Sequence, residues 1–214
     1  MYRRQIEVIG KENQEKLNKK SILIVGAGGL GNIIASTLSC IGLKKIYIID
    51  FDKIELHNIH RQFQFKKDDI GKFKSEVLAK RVSRCKELDY YVNKFDEEFA
   101  NKFFKNKNID LIMDATDNFD VREKIDKVSK KYNIPWIYSS VEEFRGQVGI
   151  FKKSSFNIFA TTSNLSKGQL PPMVNFIGSF ASLIALKVLL FDMQEKLFYF
   201  DFSDGFVCKE FVIS

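Results

Sequence analysis

The sequence predicts an α/β fold built on a doubly wound, mostly parallel sheet with antiparallel strands near its C-terminal end. Residues 21–50 read as a strand, a glycine-rich turn, a helix and a second strand. Apolar strand-like runs then alternate with helix-like segments up to residue 140, which is the pattern of parallel β-α-β units. Beyond residue 140, strand-like runs follow one another without a helix between them, which indicates antiparallel pairing.

The bulk composition is that of one globular domain. The chain has 214 residues, of which 45% are apolar and 29% charged, enough for a sizeable core. We therefore expect residues 1–214 to form a single domain. The net charge is +7, with Lys and Arg scattered along the chain. This charge fits a solvated basic surface or attraction for an anionic ligand or acidic partner. No nucleic-acid recognition motif is present, so we expect no nucleic-acid partner.

Cysteine usage and hydropathy predict a cytoplasmic protein. Cys40, Cys85 and Cys208 form no C-x-x-C pair, which fits a reducing compartment and assigns none of them a catalytic role. The N-terminus has no apolar signal core. The longest apolar run, 174–191, contains Lys187 and several polar residues, and it predicts a buried helix, with no membrane contact.

The first half of the chain predicts three helices and three strands. A polar helix over 5–19 leads into a strand at 21–25, a helix at 30–41 and a strand at 45–50. A polar connection over 51–74 precedes a helix at 75–88 and a strand at 90–95.

The second half completes the predicted sheet. We expect a buried strand at 109–116, a helix beginning near Val121 and a strand at 134–140. Strands GQVGIF and FNIFA (146–151 and 156–160), a polar Gly- and Pro-containing loop at 161–172, a buried helix at 174–190 and a closing hairpin of LFYFDF and FVCKEFVI follow.

The glycine turn predicts a Rossmann-like nucleotide site. Gly26, Gly28 and Gly31 match G-x-G-x-x-G. The first glycine permits the tight turn, the second permits close approach of a phosphate or ribose, and the third lets the helix pack on the strand. Asp50 ends the second strand, where its carboxylate can accept both ribose hydroxyls. The alternative is a glycine turn that serves packing alone.

Charged residues after Asp50 distinguish phosphate chemistry from hydride transfer. Asn58 and Arg61 lie three positions apart, Lys74 follows, and Asp117 comes directly after the buried strand 109–116. Arg and Lys can neutralise a triphosphate, and an Asp can hold magnesium. This set favours attack on a phosphate over redox chemistry.

Six motifs together carry a family resemblance. They are RRQ at 3–5, GAGGLG at 26–31, DFD at 50–52, N-x-x-R-Q at 58–62, GKFK at 71–74 and DATDN at 114–118. They resemble the ThiF/MoeB/HesA family, the bacterial relatives of ubiquitin-activating enzymes, and most of all ThiF. GQVGIF and GQLPPMVNFIGS (146–151 and 168–179) are also similar, so the resemblance covers nearly the whole chain.

The resemblance implies an ATP- and Mg²⁺-dependent adenylyltransferase. Such enzymes adenylate the C-terminal glycine of a small ubiquitin-fold sulfur carrier and release pyrophosphate. A carboxylate is already ionised at neutral pH, so the reaction needs orientation and charge neutralisation more than a general base. The resemblance favours a ThiS-like carrier of thiamine thiazole biosynthesis. A MoaD-like carrier of molybdopterin biosynthesis and a short peptide remain open.

The resemblance also implies roles for single residues. The nucleotide contacts are the glycines of the loop (Gly26, Gly28, Gly29, Gly31), Asp50 at the ribose, and Asn58, Arg61 and Lys74 at the phosphates. Asp117 would bind magnesium. Arg4 would reach the triphosphate of a neighbouring subunit, which implies a homodimer. Asp114, Asn118 and Arg122 would shape the site, whereas His57 and His60 are expected to be exposed loop residues.

The chain departs from many family members at their zinc-binding cysteine pairs. FNIFATTS stands where the first pair would be, and the second is missing, so we expect no zinc. The loop 161–172 has no cysteine, so we expect sulfur to come from a separate donor protein. Two hypotheses from other classes remain: an NAD-dependent oxidoreductase and a non-catalytic nucleotide sensor.

Overall fold

The protein is built around one eight-stranded sheet. The computed structural model describes residues 1–82, 84–158 and 168–213. The strands run in the order β3-β2-β1-β4-β5-β6-β7-β8. They are β1 (Ser21–Val25), β2 (Lys45–Ile49), β3 (Glu87–Tyr91), β4 (Leu111–Asp114), β5 (Trp136–Glu142), β6 (Arg145–Phe151), β7 (Lys196–Asp201) and β8 (Val207–Val212). Strands β1 to β5 pair in parallel, and β6 to β8 add antiparallel pairs. The predicted fold class is confirmed.

Helices cover both faces of the sheet, as a doubly wound fold requires. They are α1 (Arg3–Ile9), α2 (Lys11–Leu17), α3 (Gly29–Leu38), α4 (Lys74–Arg81), α5 (Glu97–Asn106), α6 (Phe119–Tyr132) and α7 (Pro171–Leu190). Apolar residues of α3, α4 and α7 form one core with the sheet. Those of α5 and α6 form a second core on the opposite face. All five residues of β1 are buried because β1 lies between these two cores.

Strand order places a crevice beside β1. The chain passes from β1 to β2 and β3 on one side, and later returns to β4 and β5 on the other. Ligands of open α/β sheets bind at such a switch point, outside the carboxyl ends of the strands. The loops that follow β1, β2 and β4 all meet there.

The N-terminal helical segment differs from its prediction. The single helix expected over 5–19 is two helices, which Gly10 separates with a φ of 81°. A left-handed glycine ends one helix without the steric cost that a side chain would add.

The region after α4 also differs. The helix expected to reach residue 88 ends at Arg81, and the strand expected at 90–95 is β3, Glu87–Tyr91. At this pairing the ammonium of Lys45 on β2 lies 3.1 Å from Glu87 and 2.8 Å from Asp89 across the ladder, which favours strand pairing over Glu87–Tyr91. Helix α5 was not predicted, although Asp96 caps it by accepting a hydrogen bond from the Phe99 N–H.

The strand expected at FNIFA is wrong. Phe156–Ile158 is a short 3-10 helix. The ring of Phe156 is buried among Trp136, Tyr138 and Phe151, and burial of this ring replaces strand pairing. Residues 159–167 lie outside the described part of the chain, and with them most of the predicted loop 161–172.

Helix α7 is the predicted buried helix, and it begins at Pro171 instead of residue 174. Proline at the first helical positions is favoured because its fixed φ suits the helix, and because the N–H that it lacks would have no intrahelical acceptor there. The helix is long and apolar enough to cross a membrane by composition. However, Val174, Ile177 and Ala181 are fully buried in the core beside α3.

Candidate functional site

A cavity of about 700 Å³ opens at the crevice beside β1. Its walls come from the glycine turn, the ends of β2 and β4, the connection after β2, and strands β5 to β7. The predicted site residues on these walls are Gly26, Gly28, Gly29, Asp50, Asn58, Arg61, Lys74, Asp117, Asn118 and Arg122. The fold therefore gathers residues from sequence segments up to about a hundred positions apart.

The glycines of the turn have two different roles: some permit close packing, and one leaves space for a ligand. A Cβ on Gly31 would lie 2.2 Å from the Gly26 carbonyl oxygen, so Gly31 permits close packing and does not line the cavity. Gly26 has a φ of 99°, and a Cβ there would lie 2.6 Å from the Ala115 oxygen. Among the described residues, the nearest atom to a Cβ on Gly28 would be the Gln62 Nε2 at 3.8 Å, so Gly28 leaves open space for a ligand.

Asp50 is tied to the glycine turn. Its Oδ2 accepts a hydrogen bond from the Ala27 N–H at 2.6 Å, and its Oδ1 accepts one from the Asp52 N–H at 2.7 Å. Burial raises the pKa of Asp50, and these two N–H donors oppose that rise. The carboxylate is thus held at the end of β2 on the cavity wall.

Lys74 lies at the start of α4 with only 8% of its surface exposed. Its Nζ pairs with Asp52 Oδ2 at 2.9 Å. Asp52 is half exposed, and both residues line the cavity. A buried ammonium needs such a partner, because an unpaired charge in a partly dry site is costly.

Asn58 and Arg61 come from the short 3-10 turn after β2 and its continuation. The Oδ1 of buried Asn58 accepts a hydrogen bond from the Glu55 N–H at 2.9 Å, which fixes the turn. Arg61 Nε donates to Gln169 Oε1 at 2.9 Å, and an Nη donates to the His57 carbonyl at 3.1 Å. Burial lowers the pKa of Arg61, and the nearby charge of Asp117 opposes this. The guanidinium is positively charged and partly desolvated.

The loop that carries Asp117 rests on a buried ion pair. Arg122 Nε donates to Asp114 Oδ2 at 2.9 Å, and an Arg122 Nη donates to the Thr116 carbonyl at 2.6 Å. Thr116 also donates to Asp114 through its N–H and its hydroxyl. Asp117 follows Thr116, is exposed, and has no hydrogen-bond partner among the described residues.

Two predicted features lie apart from this arrangement. Arg4 is on α1, where it is exposed and pairs with Glu7 at 3.1 Å, and it does not line the cavity of its own chain. His57 and His60 are exposed, as expected. His57 lies on the cavity rim beside Glu55.

Several residues on the cavity wall were not predicted as site residues. Four polar ones among them are Asp52, Gln62, Tyr138 and Gln169. Gln62 is 2% exposed, and its Oε1 has no partner among the described residues. Asp52, Gln62 and Gln169 belong to segments already recognised, DFD, N-x-x-R-Q and GQLPPMVNFIGS, so those segments could have indicated them. Tyr138 reaches the site only through the sheet topology.

The cavity wall could supply only some of the ligands of a magnesium ion. No group of three or more His, Cys, Asp or Glu residues in the described ranges could hold a metal ion. Magnesium in nucleotide sites is usually bound by one or two carboxylates together with substrate phosphates and water. The exposed Asp117 carboxylate, which has no hydrogen-bond partner in the described ranges, fits that smaller role.

Comparison with known proteins agrees with the motif set. A profile of the ThiF family matches residues 2–205. The chain belongs to the ThiF family. A relative in Caenorhabditis briggsae, named adenylyltransferase and sulfurtransferase MOCS3, is 32% identical, over 95% of this chain and 55% of that protein. A Thermus thermophilus sulfur carrier protein adenylyltransferase is 29% identical, over 88% of this chain and 77% of that protein.

This ThiF-family chain is shorter than several relatives. It spans about half the length of the C. briggsae protein and of a Gracilaria tenuistipitata probable molybdopterin-synthase adenylyltransferase, which is 30% identical over 86% of this chain. Among solved structures, PaaA matches with a TM-score of 0.81 at 22% identity over 99% of this chain and 72% of its own. E. coli MccB with ATP matches with a TM-score of 0.77 at 22% identity over 94% of this chain and 65% of its own. At such identities the likeness shows the fold alone.

Proposed function

We propose that this ThiF-family protein uses ATP to adenylate the C-terminal glycine carboxylate of a small ubiquitin-fold sulfur carrier. The observation that carries the proposal is one cavity in which the glycine turn, the cations Arg61 and Lys74, and the exposed Asp117 carboxylate lie together. A dinucleotide dehydrogenase shares the glycine turn but has no need of this charge set. Membership of the family and the names of its curated relatives also support the proposal.

The glycine turn and Asp50 would bind the nucleoside. Gly28 leaves space for the ribose and phosphates, and the Asp50 carboxylate lies where ribose hydroxyls can donate to it. Arg61 and Lys74 would hold the phosphates by charge. Asp117 would hold magnesium, which when bound supplies further positive charge to the triphosphate.

The carrier's carboxylate would then attack the α-phosphorus of ATP. A new P–O bond forms to the carboxylate, the bond between the α-phosphorus and the bridging oxygen breaks, and pyrophosphate leaves with that electron pair. No proton has to be removed from an ionised carboxylate, so the protein's work is orientation and charge neutralisation. Arg61 and Lys74 would stabilise the negative charge that gathers on the departing pyrophosphate.

The carrier tail would approach along the antiparallel strands. The cavity continues past the glycine turn to Tyr138, Gln147 and Tyr199 on strands β5 to β7. Tyr138 donates a hydrogen bond to Gln147 Oε1 at 3.0 Å, so this wall offers polar groups to an extended peptide. This part of the cavity would hold the carrier tail next to the nucleotide.

The identity of the carrier is the finer part of the proposal. A ThiS-like carrier remains our first choice, and a MoaD-like carrier is the alternative that the molybdopterin-related name of one relative supports. We further propose that the protein acts in the cytoplasm as a homodimer, that Arg4 completes the neighbouring site, and that a separate protein donates sulfur.

Carrier-dependent exchange between labelled pyrophosphate and ATP tests the proposal. The purified protein with ATP, Mg²⁺ and a carrier ending in Gly-Gly should exchange label, and ThiS-like and MoaD-like carriers should differ in rate. Absence of exchange with every carrier would contradict the proposal.

The Asp117→Ala variant tests whether loss of exchange can be separated from loss of stability. Because Asp117 is exposed and has no hydrogen-bond partner among the described residues, the variant should keep the wild-type melting temperature. It should nevertheless lose exchange by roughly a factor of 10² or more, since a charge that binds the triphosphate's metal is gone. Retained exchange would refute the magnesium role. NADH or NADPH turnover without exchange would favour the oxidoreductase hypothesis instead.

A further inference from the structure

Arg61 differs from the other cations of the cavity wall in the charge of its partners. Lys74 pairs with Asp52, Arg122 with Asp114, and Arg145 with Asp201. Arg61 forms no ion pair within 4 Å in the described ranges, and both of its hydrogen-bond acceptors are neutral. These acceptors are the side-chain amide oxygen of Gln169 and the main-chain carbonyl of His57.

The Gln169 contact leaves most of the guanidinium available. An arginine has five N–H donors, and Gln169 and His57 accept from two of them. The remaining three have no partner among the described residues. An amide acceptor fixes the plane of the guanidinium but, unlike a carboxylate, adds no negative charge beside it. Arg61 is thus oriented without being neutralised.

Gln169 is itself held in place by the main chain on both sides. The Glu143 N–H donates to the Gly168 carbonyl at 3.0 Å, and Glu143 and Gln169 form a parallel β-bridge. Directly after Leu170, helix α7 begins and packs close to the glycine turn, since a Cβ on Gly29 would lie 3.0 Å from Val174. Gln169 therefore joins the turn between β5 and β6 to the phosphate-binding side of the cavity.

We propose that Gln169 is a positioning residue that holds Arg61 for the phosphates of the nucleotide while leaving its charge intact. This inference rests on the proposed function, because it takes the anionic ligand of Arg61 to be the phosphates of ATP. A carboxylate at position 169 would pair with Arg61 and repel those phosphates. An apolar side chain of similar length would keep the charge and lose the orientation.

Two substitutions separate orientation from charge. We expect Gln169→Met to weaken ATP binding about threefold, the loss of one modest hydrogen bond. We expect Gln169→Glu to weaken it at least about tenfold, which corresponds to 1.4 kcal/mol. Gln194→Glu, at an exposed position that does not line the cavity, changes the net charge equally and should bind ATP as the wild type does.

The readout is competition of ATP, and separately of adenosine, against a fluorescent ATP analogue in the absence of any carrier. A positioning role predicts that both Gln169 variants bind adenosine as the wild type does, because adenosine has no phosphate for Arg61. Equal losses for ATP and adenosine would reveal a merely structural role and overturn the proposal. So would a Gln169→Glu variant that binds ATP as tightly as the wild type.

The same measurements separate this inference from the proposed function. If the wild type binds ATP but shows no exchange with any carrier, the proposed function fails and the Gln169 inference is still decided by the two affinities. If the wild type binds no ATP, both proposals are overturned.

Discussion

Arg122 and Asp114 form a buried ion pair: the guanidinium Nε lies 2.9 Å from the carboxylate Oδ2, with 4% and 0% of the two side chains exposed. The guanidinium also stacks 4.8 Å from the centre of the Tyr138 ring. The pair connects α6, the end of β4 and β5, and the loop that carries Asp117 begins at one of its members. The buried pair thus acts as a framework that fixes the position of the loop that carries the exposed Asp117 carboxylate.

The ion pair predicts a large effect on stability. Arg122→Met keeps much of the side-chain volume but leaves the Asp114 carboxylate buried without its cation. We expect the free energy of unfolding in denaturant to fall by about 3–5 kcal/mol, as for other buried pairs that lose one partner. Lys16→Met, which removes an exposed pair with Glu12, should change it by less than about 1 kcal/mol. Similar small losses for both variants would contradict the framework role.

The glycine turn predicts that two alanine substitutions will differ in kind. Gly31→Ala places a Cβ against the Gly26 oxygen and should destabilise the protein by about 1–3 kcal/mol through overpacking. The methyl group of Gly28→Ala meets no close atom in the described part of the chain, so this variant should melt near the wild-type temperature. Because its methyl group would enter the cavity, it should still weaken ATP binding by about tenfold or more. Thermal melting and nucleotide titration test both, and unchanged ATP affinity of Gly28→Ala would place the nucleotide elsewhere.

The lowered pKa of Asp69 leads us to expect a loss of stability in acid. Burial alone would raise the pKa of Asp69, but hydrogen bonds from the Lys66 N–H, Lys72 and Arg81 outweigh it, and the pKa lies below its ordinary value. A carboxyl group with a lowered pKa in the folded state stabilises the protein above the unfolded pKa of about 4 and loses that effect as the pH falls through its folded pKa.

The Asp69→Asn variant measures that contribution directly. At pH 7 it should be less stable than the wild type by about 1–3 kcal/mol. The difference should stay constant down to about pH 5 and shrink below about pH 4. Denaturant titrations across this range provide the test, and a difference that is independent of pH would contradict the lowered pKa.

The position of Arg4 leads us to expect complementation between subunits that carry different substitutions. Its side chain is 93% exposed and lies away from the cavity of its own chain, so a role in catalysis requires a second subunit. Arg4→Ala and Asp117→Ala proteins should each lack exchange activity. Mixing them should restore activity, up to about a quarter of the wild-type level if subunits redistribute randomly and Arg4 acts across the interface. No recovery despite demonstrated subunit exchange would indicate that each site is built within one chain.

Local patterns were sufficient for most of the fold. The strands at 21–25 and 45–50 and the helix between them follow from apolar runs and the glycine turn, which are short-range signals. Failures occurred where tertiary contacts override local preference. FNIFA has strand-like residues, yet Phe156 is drawn into an aromatic cluster. Strand β3 lies earlier than expected, where Lys45 of β2 pairs with Glu87 and Asp89.

The candidate site shows the same division. Gly28, Asp50 and Lys74 belong to motifs that indicated their roles, and the fold brings them to one cavity. Gln169 lies in the recognised segment 168–179, but its contact with Arg61 spans 108 positions of the chain and could not be inferred from local sequence.

The α/β class, the glycine turn and membership of the ThiF family could be read from the sequence alone, since each is encoded in short motifs and local periodicity. In the described part of the chain, tertiary contacts show that Arg61 has neutral partners and that Gly28 leaves space for a ligand. Those properties depend on distances between segments that are remote in the chain, and on the burial that sets the strength of each charge.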